Sequence, residues 1–76
     1  MNNDRRSRIT QIRTQLEPLR DEISELHDEE RDAFDNLPEG LQASERGQLS
    51  EQAADTLDTA LQTIEETLTA LEEAAG

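Results

Sequence analysis

The apolar residues in the first half of the chain recur at alternating steps of three and four. They are Ile9, Ile12, Leu16, Leu19, Ile23 and Leu26. This spacing fills positions a and d of three consecutive heptads, which predicts an amphipathic helix with a narrow packing seam. We expect the helix to span about residues 4–34, with Asn3 or Asp4 as its N-cap.

Pro18 lies inside this predicted helix. It has no N–H to donate to the carbonyl of Thr14, and its ring crowds the preceding turn. Leu16 and Leu19 nevertheless keep the heptad register across it, which favours one helix kinked at Pro18. The alternative is a second helix that begins with Pro18 at its first position.

The second half of the chain repeats the design, with apolar residues at Ala54, Leu57, Leu61, Ile64, Leu68, Leu71 and Ala75. Neither Gly nor Pro occurs in residues 48–75, so we expect a second helix there, with its start region at 44–50 and Ser50 as a candidate cap. Two amphipathic helices of matched length, joined by a connector over about residues 35–47, predict an all-α antiparallel helical hairpin. The hairpin forms one domain, residues 1–76.

A two-helix hairpin of this size cannot enclose its own apolar seam, and cysteine is absent, so no disulfide stabilises it. We therefore expect a homodimer that forms a four-helix bundle, with docking of the hairpin on a partner as the alternative. The expected core and oligomer seam consists of Ile9, Ile12, Leu16, Leu19, Ile23, Leu26, Leu57, Leu61, Ile64, Leu68 and Leu71. A less charged face of the second helix carries Ala53, Thr56, Thr59, Ala60, Thr63, Thr67 and Ala70. An ordinary polar face is the favoured interpretation, and a close-packing oligomer contact is the alternative.

Charge is extreme and unevenly placed. Nineteen acidic residues oppose seven Arg and no Lys, for a net charge of −12. Residues 1–20 carry five Arg against two acids, a net +3, while residues 21–76 carry seventeen acids against two Arg, a net −15. The antiparallel arrangement brings the basic start (Arg5, Arg6, Arg8, Arg13) beside the acidic end (Glu65, Glu66, Glu72, Glu73).

The acidic surface predicts a protein partner with a basic surface, and no direct binding of nucleic acid or membranes. No apolar run approaches the roughly 18–20 residues of a membrane span, and no signal peptide is visible. We expect a cytoplasmic protein.

Signatures of catalysis are missing from the sequence. Cys, Tyr and Lys are absent, and His27 is the single histidine. A metal site could pair His27 with Asp28 or Glu30, but one His with loose carboxylates is weak ligation for a transition metal. His27 is more simply a rim residue that is solvated or paired with a carboxylate. The sequence predicts neither an enzyme nor a cofactor or metal site.

One face of the first helix carries a run of carboxylates, which we call the acidic stripe: Asp21, Glu22, Glu25, Asp28, Glu29, Asp32 and Asp35. With Ile23 at position a, they occupy positions f, c and g, away from the seam. Their linear charge density is comparable to that of DNA phosphates, so a rigid helix bearing them could occupy a nucleic-acid channel. The alternatives are an ordinary solvated surface that keeps a small bundle in solution, or docking of another partner.

The connector combines a helix stop with a small apolar group. Asn36-Leu37-Pro38 ends the first helix, because the residue before a proline disfavours the α region. Residues 38–43 could form one helical turn. Phe34, Leu37, Leu41 and Leu49 could then seal the open end of the hairpin; alternatively, Phe34 or Arg46 is presented to a partner.

The segment RDAFDNLPEGLQASERGQ (Arg31–Gln48), followed by an acidic Leu/Ala/Thr helix, resembles small acidic helical proteins of phages and prophages. Gly40 departs from the Ser expected at that place. The resemblance carries over no catalytic residues. It implies a phage protein acting in the host cytoplasm, and it favours a non-enzymatic inhibitor of a host nucleic-acid-acting protein, with DNA mimicry as its mode. The alternative is a structural coiled-coil protein that self-assembles, with the charge serving solubility.

Overall fold

The computed structural model describes all residues, 1–76, and contains helices only. The elements are α1 (Asn3–Asp35), α2 (Glu39–Gln42) and α3 (Glu45–Ala75). α1 and α3 pack side by side and antiparallel, because Arg13 near the start of α1 contacts Glu72 near the end of α3. The molecule is a rod of 58 × 15 × 13 Å between its outermost Cα atoms. The predicted all-α helical hairpin is confirmed.

α1 is a single helix that runs through Pro18. It begins one residue before the expected start region: the Asn2 side chain caps it by accepting from the backbone N–H of Arg5 at 2.9 Å. At the other end, the Gln42 side-chain amide donates to the carbonyl oxygens of Phe34 at 3.1 Å and Asp35 at 3.4 Å. The connector therefore supplies partners for carbonyl groups that the helix end leaves free.

α2 is the single turn expected in the connector. The backbone N–H groups of Leu41 and Gln42 both donate to the carbonyl of Pro38, at 2.8 and 3.0 Å. Two residues separate it from α3, so the hairpin is closed by a tight double turn rather than by an open loop.

α3 begins at Glu45, three residues before the predicted start. Ser44 is its N-cap, and the Ser44 hydroxyl accepts from the N–H of Gly47 at 3.4 Å. Ser50, the candidate cap, instead lies inside α3 and donates to Glu30 Oε1 across the hairpin at 2.8 Å. The first turn of α3 needs a glycine at position 47, because the backbone of α2 passes too close to leave room for a side chain there.

Very little of the chain is fully buried. Ala54 and Leu68 are the two buried hydrophobic residues, with 1% and 7% of their surface exposed, and Gly47 is the third buried residue. The other apolar residues of the α3 seam (Leu57, Leu61, Ile64 and Leu71) are half-buried against α1. The hairpin alone thus leaves most of its apolar surface partly in water.

The contact surface of α1 is rotated relative to the predicted a/d seam. Position a residues Ile9, Leu16 and Ile23 are half-buried, but so are position e residues Arg13, Arg20 and His27. The position d residues Ile12, Leu19 and Leu26 lie at the rim, with 46%, 49% and 48% of their surface exposed. Long side chains at position e can cover apolar surface with their methylene stems while their charged ends stay in water, which allows this arrangement.

The expected apolar cap at the connector is only half formed. Phe34 and Leu37 are half-buried, whereas Leu41 and Leu49 remain 43% and 59% exposed. The guanidinium of Arg31 lies 5.6 Å from the centre of the Phe34 ring, within the range of a cation–π contact. Phe34 is therefore half-buried and in contact with Arg31 rather than projecting freely.

Candidate protein-interaction surface

The acidic stripe is exposed along its whole length. All seven residues belong to α1, and none is even half-buried. From Asp21 to Asp35 the helix rises about 21 Å at 1.5 Å per residue. Seven carboxylates over that distance give about one charge per 3 Å, close to the one per 3.4 Å of a single DNA strand. Because one uninterrupted helix carries them all, their spacing does not depend on how α1 and α3 pack.

Three carboxylates of the stripe have a basic side chain nearby. Asp21 Oδ1 lies 3.1 Å from Arg20 Nη2, Asp28 Oδ1 lies 3.2 Å from His27 Nδ1, and Asp35 Oδ1 lies 3.8 Å from Arg31 Nε. These pairs are at the surface, where such contacts contribute about 0–1 kcal/mol, so a partner cation can replace them at little cost. The other four residues (Glu22, Glu25, Glu29 and Asp32) have no basic group within 4.0 Å.

Residues 20–35 as a whole carry eight carboxylates against two Arg. These two residues, Arg20 and Arg31, contact stripe carboxylates but do not neutralise the face. The stripe remains a strongly negative surface that a basic groove could contact along about four helical turns.

The ion pair between the two long helices lies on the side of the hairpin where position e of α1 meets α3. Arg13 Nη2 lies 3.8 Å from Glu72 Oε2 and 4.0 Å from Glu17 Oε1. Its Nε is buried and has no hydrogen-bond acceptor. Of the four N-terminal Arg expected beside the acidic end, Arg13 alone makes an ion pair with α3; Arg5, Arg6 and Arg8 are exposed without a carboxylate within 4.0 Å. Three exposed Arg of α1 therefore lie unpaired at the end of the rod that also holds the acidic end of α3, and the second half of α1 is acidic.

His27 fits the simpler of its two expected roles. It is half-buried at the rim, and its ring nitrogen contacts the Asp28 carboxylate. No group of three or more His, Asp or Glu that could hold a metal ion is present. None of the helices combines the length and the apolar character needed to cross a membrane.

The connector offers one shallow groove, at the side where α1 position d meets the start of α3. It is lined by Glu30, Ala33, Leu37, Arg46, Leu49 and Ser50. Arg46 is exposed at its edge, whereas Phe34 is not part of the lining. Of the two connector residues considered for partner contact, Arg46 is thus the accessible one.

The exposure of Ile12, Leu19 and Leu26 was not anticipated from the heptad pattern, which places them inside the seam. A signal was present in α3: its residues on one side of the seam are acidic (Glu51, Asp58, Glu65, Glu72), and on the other side they are mostly small and uncharged (Ala53, Ala60, Thr67, Ala74). Arg13 at position e pairs with Glu72 on this acidic side, so position e lies toward α3 and position d is left at the rim.

Comparisons with protein-family models, with curated proteins and with solved structures found no match for this chain.

Proposed function

We propose that this hairpin is a non-enzymatic binding protein that inhibits a nucleic-acid-acting protein, with the acidic stripe occupying the groove that otherwise holds DNA or RNA. The observation that carries the proposal is the continuous exposure of seven carboxylates on one helix at a spacing close to that of phosphates along a strand. The resemblance of Arg31–Gln48 to phage proteins supports the same reading, since it favours inhibition of a host enzyme.

Electrostatics supports this role physically. A negative stripe of this density steers a basic groove toward it and accelerates association at low ionic strength. Because the four unpaired carboxylates already lie in water, contact with Lys or Arg of a partner breaks no structural interaction of the hairpin. The stripe can therefore bind without any change in the fold.

The test compares two variants with the same net charge. In the stripe variant, Asp21, Glu25, Asp28 and Asp32 are replaced by Lys; in the control, Glu51, Asp55, Glu66 and Glu73 on α3 are replaced by Lys, and all eight positions are exposed. Each set moves the formal charge from −12 to −4. Circular dichroism establishes that both remain helical.

Wild-type and variant chains are immobilised and exposed to bacterial lysate, and bound proteins are eluted with duplex DNA or with salt. We expect the wild type and the control to retain a protein that duplex DNA displaces and that high salt releases. The stripe variant should lose it. Equal retention by the stripe variant and the control, or retention that duplex DNA cannot displace, would refute mimicry through the stripe.

We further propose that the chain self-associates as a dimer with four packed helices. Supporting this, the accessible surface of the hairpin is 5562 Å², whereas a compact monomer of this mass exposes about 4,700 Å². The excess includes the half-exposed Ile12, Leu19 and Leu26. The same observation favours a second candidate function, a structural protein that assembles through its leucines. In that case substitution of an exposed seam residue such as Leu19→Asp, and not loss of the stripe, should abolish function.

A further inference from the structure

The uncharged side of the hairpin forms one continuous surface, which we call the apolar flank. On α1 it consists of Ile12, Leu19, Leu26 and Ala33, and on α3 of Ala53, Ala60, Thr67 and Ala74. All of these residues are exposed. The three large side chains keep nearly half of their surface in water, at 46%, 49% and 48%.

Two contacts show that these residues share one side of the rod. The Arg13–Glu72 ion pair marks the opposite side, because both residues follow a seam position directly. Ala33 and Arg46 line one groove together, and Arg46 lies seven residues before Ala53 on the same row of α3, which places this row beside position d of α1. The residues that continue these two rows along the helices therefore face the same direction.

The size of the flank matches what a stable contact needs. The rod is 58 Å long and 15 Å wide, so one full side presents on the order of 800 Å², the area that each partner contributes to a standard interface. The surplus accessible surface of the hairpin over a compact monomer of its mass is of the same order.

We infer that a second copy of this chain covers the apolar flank, with the two rods antiparallel about a two-fold axis that passes through Leu19. The inference rests on the proposed self-association and names its surface and geometry. Under this symmetry Leu19 meets its own copy, and Ile12 meets Leu26 of the second copy. A row with one residue at its centre and equivalent residues seven positions to either side is self-complementary, as a two-fold contact requires.

The same axis also fits α3. Because Glu30 contacts Ser50 and Arg13 contacts Glu72, Leu19 lies level with the stretch of α3 between Ala60 and Thr67. The small residues of α3 are arranged symmetrically about that level. Ala60 would therefore meet Thr67 of the second copy and Ala53 would meet Ala74, so the two copies of α3 could approach closely. One axis thus serves both rows without adjustment of the hairpin.

Charge complementarity selects the antiparallel orientation. Next to the flank, position g of α1 carries Arg8 near one end and Glu29 near the other, and both are exposed. In antiparallel helix pairs, g positions face g positions, so Arg8 would lie opposite Glu29 of the second copy, twice per dimer. A two-fold axis along the rod would instead place α1 against α3 of the second copy, and Glu29 would then face the uncharged Gln52 region.

The experiment measures the mass of the full chain by sedimentation equilibrium over a range of concentrations. We expect the wild type to reach twice 8.6 kDa. Leu19→Asp should weaken the dimer about a hundredfold or more, because it places two carboxylates against each other on the axis. Leu41→Asp is the matched control: Leu41 is similarly exposed, at 43%, but lies outside the flank, and this variant should keep the wild-type mass.

A charge exchange tests the orientation in chains whose apolar residues are intact. Arg8→Glu and Glu29→Arg should each raise the dimer Kd by about threefold to tenfold, and the double exchange should restore it. Failure of the double exchange to restore association would overturn the antiparallel arrangement. A dimer unaffected by Leu19→Asp would overturn the flank while leaving self-association intact. A wild type that stays at 8.6 kDa at every concentration would overturn both, and neither result bears on the stripe variants above.

Discussion

Gly47 offers the sharpest test of how the hairpin closes. It lies in the first turn of α3 and is one of three buried residues. No glycine in the chain has a positive φ, so Gly47 is not needed for its backbone freedom. It is needed for space: a Cβ there would lie 2.2 Å from the carbonyl oxygen of Gln42 and 2.5 Å from that of Leu41. Both obstacles are backbone atoms, which cannot rotate away.

Gly47→Ala therefore forces α2 away from α3. The carbonyl of Leu41 accepts from the N–H of Ser44 at 3.1 Å, and the Gln42 side chain donates to the end of α1, so the displacement disturbs the hydrogen bonds that join α2 to the N-cap of α3 and to α1. Overpacking of this kind costs about 1–3 kcal/mol, and a weakened hydrogen bond adds about 0.5–1.5 kcal/mol. Against this stands the gain of about 0.5–1 kcal/mol that Ala normally brings to a helix interior.

We expect a net loss of about 1–3 kcal/mol in the free energy of unfolding, which lowers the Tm by about 4–8 °C per kcal/mol in a domain of this size. Gly40→Ala is the matched control, because Gly40 is also helical but a Cβ there has no atom within 4 Å. That variant should gain about 0.4–1 kcal/mol.

The assay is urea unfolding followed by far-UV circular dichroism, with all chains at one concentration because self-association would add to the apparent stability. The two alanine variants should shift the urea midpoint in opposite directions from the wild type. If Gly47→Ala is as stable as Gly40→Ala, the close approach of α2 to α3 is wrong.

Two further substitutions test particular features of α1. Pro18→Ala should raise the free energy of unfolding by about 1–3 kcal/mol, because Pro18 is exposed inside a continuous helix and its replacement restores an N–H donor there. An unchanged or lower urea midpoint would contradict a helix that is uninterrupted at this residue. Arg13→Met should leave stability equal or raise it by about 1 kcal/mol, since it removes a buried N–H without an acceptor at the cost of two long surface ion pairs. A clear decrease of the Tm at both low and high salt would show that Arg13 contributes more to stability than its contacts indicate.

The sequence by itself determined the features that depend on spacing within one helix. The heptad steps from Ile9 to Leu26 and from Ala54 to Ala75 predicted two long helices, and Pro38 with its neighbours predicted the turn between them. The exposure of the stripe also followed from the sequence, because positions f, c and g of a helix point away from position a whatever packs against it. The persistence of the helix across Pro18 was favoured for the same reason: Leu16 and Leu19 stay in register.

Only the tertiary structure decided the rotation of α1 about its own axis. A heptad pattern places apolar residues at a and d, but it does not fix which side of the stripe turns toward the neighbouring helix. Here the half-buried Arg13 lies on the acidic side of α3, so position e is covered and Leu19 at position d is left at the rim. The start of α3 was likewise a tertiary outcome. Glycine is typical of helix ends in sequence, yet Gly47 belongs to the first turn of α3. A glycine is needed at this position because the carbonyls of α2 leave no room for a side chain.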